Sequence, residues 1–112
     1  MLSILNETKT KVFQQEQLTV RIFPSIQEMG SVAAKEVGDQ ICRLLESKPE
    51  INMIFAAAPS QNEFLSHLIH DKRIDWTRIN AFHMDEYIGV GPSAPQSFAH
   101  FLRERIFDRV PF

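Results

Sequence analysis

The sequence lacks most of the features that define several large protein classes. A single cysteine, Cys42, excludes a disulfide framework within the 112 residues. Flanked by Ile41, Leu44 and Leu45, it reads as a small core hydrophobe. The formal net charge of -2 provides no basic surface for a nucleic-acid backbone, so no nucleic-acid partner is expected. No apolar run approaches the roughly 20 residues of a membrane span. Met1 to Leu5 is too short for a signal peptide and is followed closely by Glu7, Lys9 and Lys11. The expected location is therefore cytoplasmic, with no membrane partner. Neither G-x-G-x-x-G nor G-x-x-x-x-G-K is present, which removes the sequence grounds for a dinucleotide or a P-loop nucleotide. Internal repeats, low-complexity tracts and interdomain linkers are also missing, and the length suits one domain with one core.

What is present is an alternation of strand and helix patterns. Residues 1–16 have no clear period and read as an N-terminal tail, with the domain running from 17 to 112. Leu18, Val20 and Ile22 alternate with Thr19 and Arg21, which predicts a half-buried strand ended by Pro24. Ser25 and Glu28 form a capping box at the start of a long helix. Met29, Val32, Ala33, Val37, Ile41, Leu44 and Leu45 supply its apolar face, and Gly30 and Gly38 allow close packing on a sheet. Ile51 to Ala58 predicts a strand buried on both faces. After Pro59, Ser60 and Glu63 form a second capping box, followed by a helix with Phe64, Leu65, Leu68 and Ile69 inward. A third buried strand spans Ile79 to Met84. A loop carrying Gly89, Gly91, Pro92, Ser93 and Pro95 leads to a helix with Phe98, Phe101, Leu102 and Ile106 on its apolar side. The pattern predicts an α/β fold: a Rossmann-like parallel sheet with helices on both faces, incomplete at three strands and three helices. Such a sheet has open edges, through which the chain is expected to continue or to pair as a homo-oligomer.

In open α/β sheets, ligands bind beyond the carboxyl ends of the strands. Two segments stand there: Ala57-Ala58-Pro59-Ser60-Gln61-Asn62 and Asp85-Glu86. The first runs into a helix start, where free N–H groups favour a phosphate; the simpler role for Ser60 is an N-cap. In the second, strand alternation turns Asp85 and Glu86 to opposite faces, with Asp85 on the side of His83 and Tyr87. A partly desolvated Asp85 can act as a general base, and a solvated loop acid is the simpler alternative. Glu63, His67 and His70 line up on one helix side, but lie beside the apolar stripe and lack a fourth ligand. They read as a wet flank, and no metal is expected.

The run from Ile74 to Gly89, with Phe82-His83-Met84-Asp85-Glu86-Tyr87-Ile88-Gly89 at its end, resembles the glucosamine-6-phosphate deaminase segment built around F-x-M-D-E-Y-x-G. Pro95-Gln96-Ser97-Phe98 and the aromatic-rich helix after it are similar to the stretch that comes after that motif in the family. The element order from Ser25 to Phe112 agrees, so the resemblance is to the N-terminal portion. It implies the fold shared by sugar isomerases and 6-phosphogluconolactonases. The implied reaction converts an amino-sugar 6-phosphate to the ketose phosphate with release of ammonia. By this resemblance Asp85 shuttles the proton between C1 and C2, Glu86 supports it, and Ala58, Ser60, Gln61 and Asn62 form the substrate's phosphate loop. No organic cofactor or metal is implied, and the partner is a small sugar phosphate. Two departures stand out. The family's P-T-G-G stretch is replaced by Pro59-Ser60-Gln61-Asn62, and the acidic-histidine motif and basic phosphate ligands that lie further along the family sequence have no counterpart here. The isolated chain is therefore expected to be inactive. A 6-phosphogluconolactonase-like hydrolase is the nearest rival, disfavoured by Tyr87 where that family tends to carry arginine. A non-catalytic sugar-phosphate-binding module is a third reading, without room in residues 1–16 for a helix-turn-helix.

Overall fold

The strand–helix alternation is present in the computed structural model, which describes residues 9–91 and 93–112. Residues 1–8 of the expected tail, and Pro92 of the expected loop, lie outside the described residues. The elements are β1 (Lys11–Gln15), β2 (Leu18–Ile22), α1 (Ile26–Ser47), β3 (Ile51–Phe55), α2 (Asn62–Leu68), β4 (Ile79–His83) and α3 (Phe98–Leu102). A 3₁₀ turn (Pro59–Gln61) precedes α2, another (Trp76–Arg78) precedes β4, and a π turn (Arg103–Phe107) extends α3.

Within the α/β class, the sheet differs from the expected one. β3 and β4 pair in parallel, Ile51 opposite Ile79 and Phe55 opposite His83. The strand at Leu18–Ile22 does not join them. It pairs antiparallel with Lys11–Gln15, a segment expected to belong to the tail, and the two form a separate hairpin. The hairpin is mostly exposed, so the half-buried environment expected for Leu18 and Ile22 is absent: they are 63% and 50% exposed. A bidentate Arg21–Glu36 ion pair at 2.6 and 2.8 Å ties it to α1.

The two-stranded sheet is covered on one face only. Ile51, Phe55 and Ile79 are buried with Leu65, Leu68, Leu102 and Ile106 in the core. On the other face Asn80 donates to Asn52 at 3.1 Å, while Ile54 and Phe82 remain 66% and 53% exposed. Helices on both faces, and strands buried on both, are thus not found among the described residues. The radius of gyration of 16.8 Å exceeds the about 13 Å of a compact chain of this length, in keeping with a standing hairpin and a bare sheet face.

The Ser25 cap forms as expected, its hydroxyl accepting from Glu28 N at 3.1 Å. The buried stripe of α1 runs through Gly30, Ala34, Gly38, Ile41 and Leu45, whereas Met29 is 42% exposed. The two glycines do allow close packing, but against α2 and the turn after it rather than a sheet. A Cβ on Gly30 would stand 2.6 Å from Glu63 Cβ and 2.8 Å from the Glu63 carbonyl carbon. At the far end of α1, Arg78 donates to the carbonyls of Leu45, Lys48 and Pro49, satisfying acceptors a helix terminus leaves open. That arginine fixes the start of β4 to the end of α1. Edge-to-face contacts of Phe112 with Trp76, Phe107 and Phe55, at 5.4 to 6.0 Å, close the same end.

The close α1–α2 approach gives a direct test. Gly30→Ala should lower unfolding stability in urea by about 1–3 kcal/mol, because backbone must move to admit the methyl. Gly38→Ala should cost less, since its methyl meets chiefly the movable Asp71 carboxylate. Equal losses at the two positions would contradict this packing.

Candidate functional site

The carboxyl ends of β3 and β4 lie side by side, joined past the ladder by a hydrogen bond from Met84 N to Phe55 O at 2.9 Å. Both sequence-predicted segments emerge at this end of the sheet. Their local structures differ from expectation.

The second capping box does not form. Ser60 sits inside the 3₁₀ turn, and α2 has no side-chain cap. The amides of Gln61 and Asn62 bond back to the carbonyls of Ala58 and Pro59, so these two are not available to an anion. Pro59 and Ser60 are exposed, and Ala58 and Gln61 half-buried. Glu63, freed from capping, packs on Gly30 and keeps one buried carboxylate oxygen without a hydrogen bond. Asn62 is anchored: its Oδ1 accepts from Arg105 Nε at 2.6 Å. Arg105 is itself held by Phe101, stacking 3.6 Å above the ring centroid and donating to the Phe101 carbonyl at 3.3 Å. Sequence reasoning missed this arginine, because its partner lies 43 residues away and no local pattern links them.

At β4 the regular strand ends at His83, so the alternation that would have set Asp85 beside His83 does not continue. His83 instead lies 3.8 Å from Glu86 through Nε2 and Oε2. Glu86 turns inward to the start of α3. Its Oε1 accepts from Tyr87 N and Phe98 N, and its Oε2 from Ala99 N, each at 3.0 Å. Ser97, almost fully buried, takes His100 N on its hydroxyl at 3.0 Å. Two side chains thus satisfy three of the amides that a helix start leaves open. The amides of Ala99 and Phe98, and then that of Tyr87, hold the Glu86 carboxyl below the usual carboxylate range. Tyr87 closes the loop base by packing on Phe98, ring centroids 4.6 Å apart. Gly89, at φ 82, supplies the left-handed turn at its tip.

The two adjacent acids therefore have different duties. Glu86 is committed to backbone amides, whereas Asp85 is exposed and holds no hydrogen bond among the described residues. His67 is exposed on α2 and His70 in the turn after it, with His70 Nδ1 donating to Ser66 O at 2.7 Å, while Glu63 packs on α1. Among the described residues no three His, Cys, Asp or Glu side chains gather as metal ligands. No helix among them is long and apolar enough to cross a membrane.

The arrangement defines an α/β protein with a candidate site at the carboxyl end of parallel strands, and comparison with known proteins gives the family likeness. The chain is 32% identical over 96 residues to a glucosamine-6-phosphate deaminase of an Arthrobacter species, covering 83% of this chain and 35% of that protein. It is 28% identical over 88 residues to that of Hahella chejuensis, covering 76% and 34%. A solved structure of a monomeric glucosamine-6-phosphate deaminase of the NagB superfamily superposes with a TM-score of 0.66 at 21% identity, over 77% of this chain and 35% of that one. No family model matches. The chain is thus similar, in sequence and fold, to part of a glucosamine-6-phosphate deaminase, and it spans about a third of the length of the curated relatives it matches.

The Glu86 clamp predicts a pH dependence with a definite sign. Its folded pKa is depressed, so the stability it contributes is complete above the unfolded carboxyl value of about 4.3 and is lost as pH falls through the lower folded value. Urea midpoints measured from pH 6 downward should fall in acid, and Glu86→Gln should be less stable at pH 6 with a flatter acid limb. Unchanged limbs would show that the three amide bonds do not form in solution.

Proposed function

We propose that this chain provides the proton-transfer part of a sugar-phosphate isomerase/deaminase acting on glucosamine 6-phosphate, with Asp85 as the general base. The observation that carries the reading is the division of labour between adjacent acids. Glu86 is spent on holding the loop and helix, which leaves the Asp85 carboxylate exposed, and unbonded among the described residues, beyond the ends of two parallel strands. In an aldose–ketose conversion a carboxylate so placed removes the proton from C2 of the open-chain sugar and returns it to C1. The electron pair passes through the enediol, or enolamine, between them. Reprotonation at C1 leaves an imine at C2, and a water molecule adds to that carbon and hydrolyses it to the ketone with release of ammonia. Glu86 assists by position only. The loop Ala58, Ser60, Gln61, Asn62 borders the phosphate end of the substrate, and the Arg105–Asn62 bond keeps its amide side chain from collapsing into that space.

The relatives carry deaminase names, and this chain matches about a third of each, which supports a family activity exercised within a longer architecture. The bare Ile54–Phe82 face is in keeping with a site completed by further structure. Location in the cytoplasm belongs to the same proposal. Pairing of two copies through the open edge is a separate proposal, read out by the concentration dependence of molecular mass.

The chain alone should release no measurable ammonia from glucosamine 6-phosphate. A chimera in which it replaces the matching third of the Arthrobacter deaminase should release it. In that chimera Asp85→Asn should reduce kcat by about 10²–10⁴-fold. A folded chimera that keeps full turnover with Asp85→Asn, or hydrolyses 6-phosphogluconolactone instead, would overturn the assignment.

A further inference from the structure

A groove on the flank of α2 is lined by no residue of the Asp85 segment and shares Asn62, with its partner Arg105, with the loop proposed for the substrate phosphate. It encloses about 620 Å³ and is lined by Asn62 and Ser66 of α2, by Ile69 just after it, and by Glu104, Arg105 and Arg109 from the π turn and the residues after it. We propose that this groove binds a phosphate-type oxyanion, with Arg105 and Arg109 as its principal ligands.

The π turn builds the site. In a regular α-helix each carbonyl is taken by the amide four residues on; here Asp108 N reaches back to Arg103 O at 3.1 Å, five residues away. The widened turn leaves the Glu104 carbonyl to accept from Arg109 Nε at 2.6 Å, as the Phe101 carbonyl accepts from Arg105 Nη1. Each guanidinium is thereby pinned along one edge. Arg105 is further fixed by Asn62 Oδ1 and the Phe101 ring. The Nη2 group of Arg105 and both Nη groups of Arg109 hold no bond among the described residues. Because Asn62 accepts through Oδ1, its amide nitrogen is left as a third donor on the same wall.

Charge favours an anion. Two guanidinium groups face one carboxylate, Glu104, which is shared: its Oε1 lies 3.0 Å from His100 Nε2, and its Oε2 pairs with Arg105 Nη1 at 3.7 Å, which leaves Arg109 without a carboxylate partner among the described residues. Fixed, forked donors converging from two elements suit the several oxygens of a phosphate better than a single planar carboxylate. Ile69 provides an apolar end for the carbon portion of a phosphate monoester. Pinned guanidiniums also lose little side-chain freedom on binding, so most of the new hydrogen-bond energy is retained.

The test is titration of the chain with inorganic phosphate, followed in amide and arginine Nε–H resonances, against sodium chloride at matched ionic strength. Saturable shifts are expected at Ser66, Arg105 and Arg109 with phosphate and not with chloride. Arg109→Gln, at an exposed position, should weaken binding at least about tenfold, the loss of a charge-assisted hydrogen bond. Arg105→Lys should weaken it as well while leaving the amide spectrum dispersed, which keeps misfolding apart from loss of the site. Absence of saturable shifts, or shifts confined to Ser60 and Gln61 and unaltered by Arg109→Gln, would overturn the proposal. The second of those outcomes would leave the deaminase reading standing, so the two can fail separately.

Discussion

The carboxylate of Glu86, set against the first amides of α3, is the interaction on which the organisation of the site depends. α3 and its π turn together span 10 residues, too few for a stable isolated helix. Its start is held to the end of β4 by one side chain that accepts from amides on both sides of an intervening loop. That clamp fixes the loop base, directs Asp85 outward and sets Phe101 and Arg105 over α2. Arg105 in turn fixes Asn62 at the end of the 3₁₀ turn beyond β3. The carboxyl ends of both strands are therefore linked by a relay of polar contacts, Glu86 to α3 and Arg105 to Asn62, rather than by the sheet alone.

Below that relay the molecule is held by close approach. α1 meets α2 where Gly30 and Ala34 replace larger side chains, so Leu65 and Leu68 reach full burial. Asp39 of α1 and Asp71 and Arg73 of the turn after α2 are joined at the surface, with bonds of 2.7 to 3.0 Å. Exposed ion pairs of this kind contribute modestly, and the apolar contact carries the greater share of the stability. Arg78 matters differently, because it satisfies the carbonyls at the end of α1 while setting where β4 begins.

Much of this was legible in the sequence, and the failures share a physical pattern. Periodicity located α1, α2 and α3 and the two parallel strands, because local spacing reports which side of an element is apolar. It misplaced the face of α1, since glycine and alanine at 30, 34 and 38 add little apolar signal to a periodic pattern, and the close packing that Gly30 and Gly38 announce is against a second helix and the turn after it rather than a sheet. β1 was missed because its turn, Glu16-Gln17, carries none of the glycine or asparagine that announces a hairpin; Glu16 adopts φ 55 regardless. The Ser60–Glu63 pattern imitated a capping box, but Pro59 starts a 3₁₀ turn that places Ser60 inside it. The M-D-E-Y resemblance located the acids, whereas their separate duties depend on Ala99 and on a loop closure that no local spacing encodes.

Exposure connects the two functional features. A carboxylate in bulk water is a weak base for a carbon-bound proton, and enzymes strengthen such groups by removing water around them. Asp85 has not undergone that removal here: it stands exposed, with Met84 beside it 66% exposed. Met84, Ile54 and Phe82 are apolar at the same end of the sheet, and covering them would dry the surroundings of Asp85 as well as complete the core. The clamp at Glu86 has no such requirement, because its amides already stand in for water. One acid of the pair is thus preorganised within this chain, and the other, in the role proposed for it, would become effective only when its surroundings are closed.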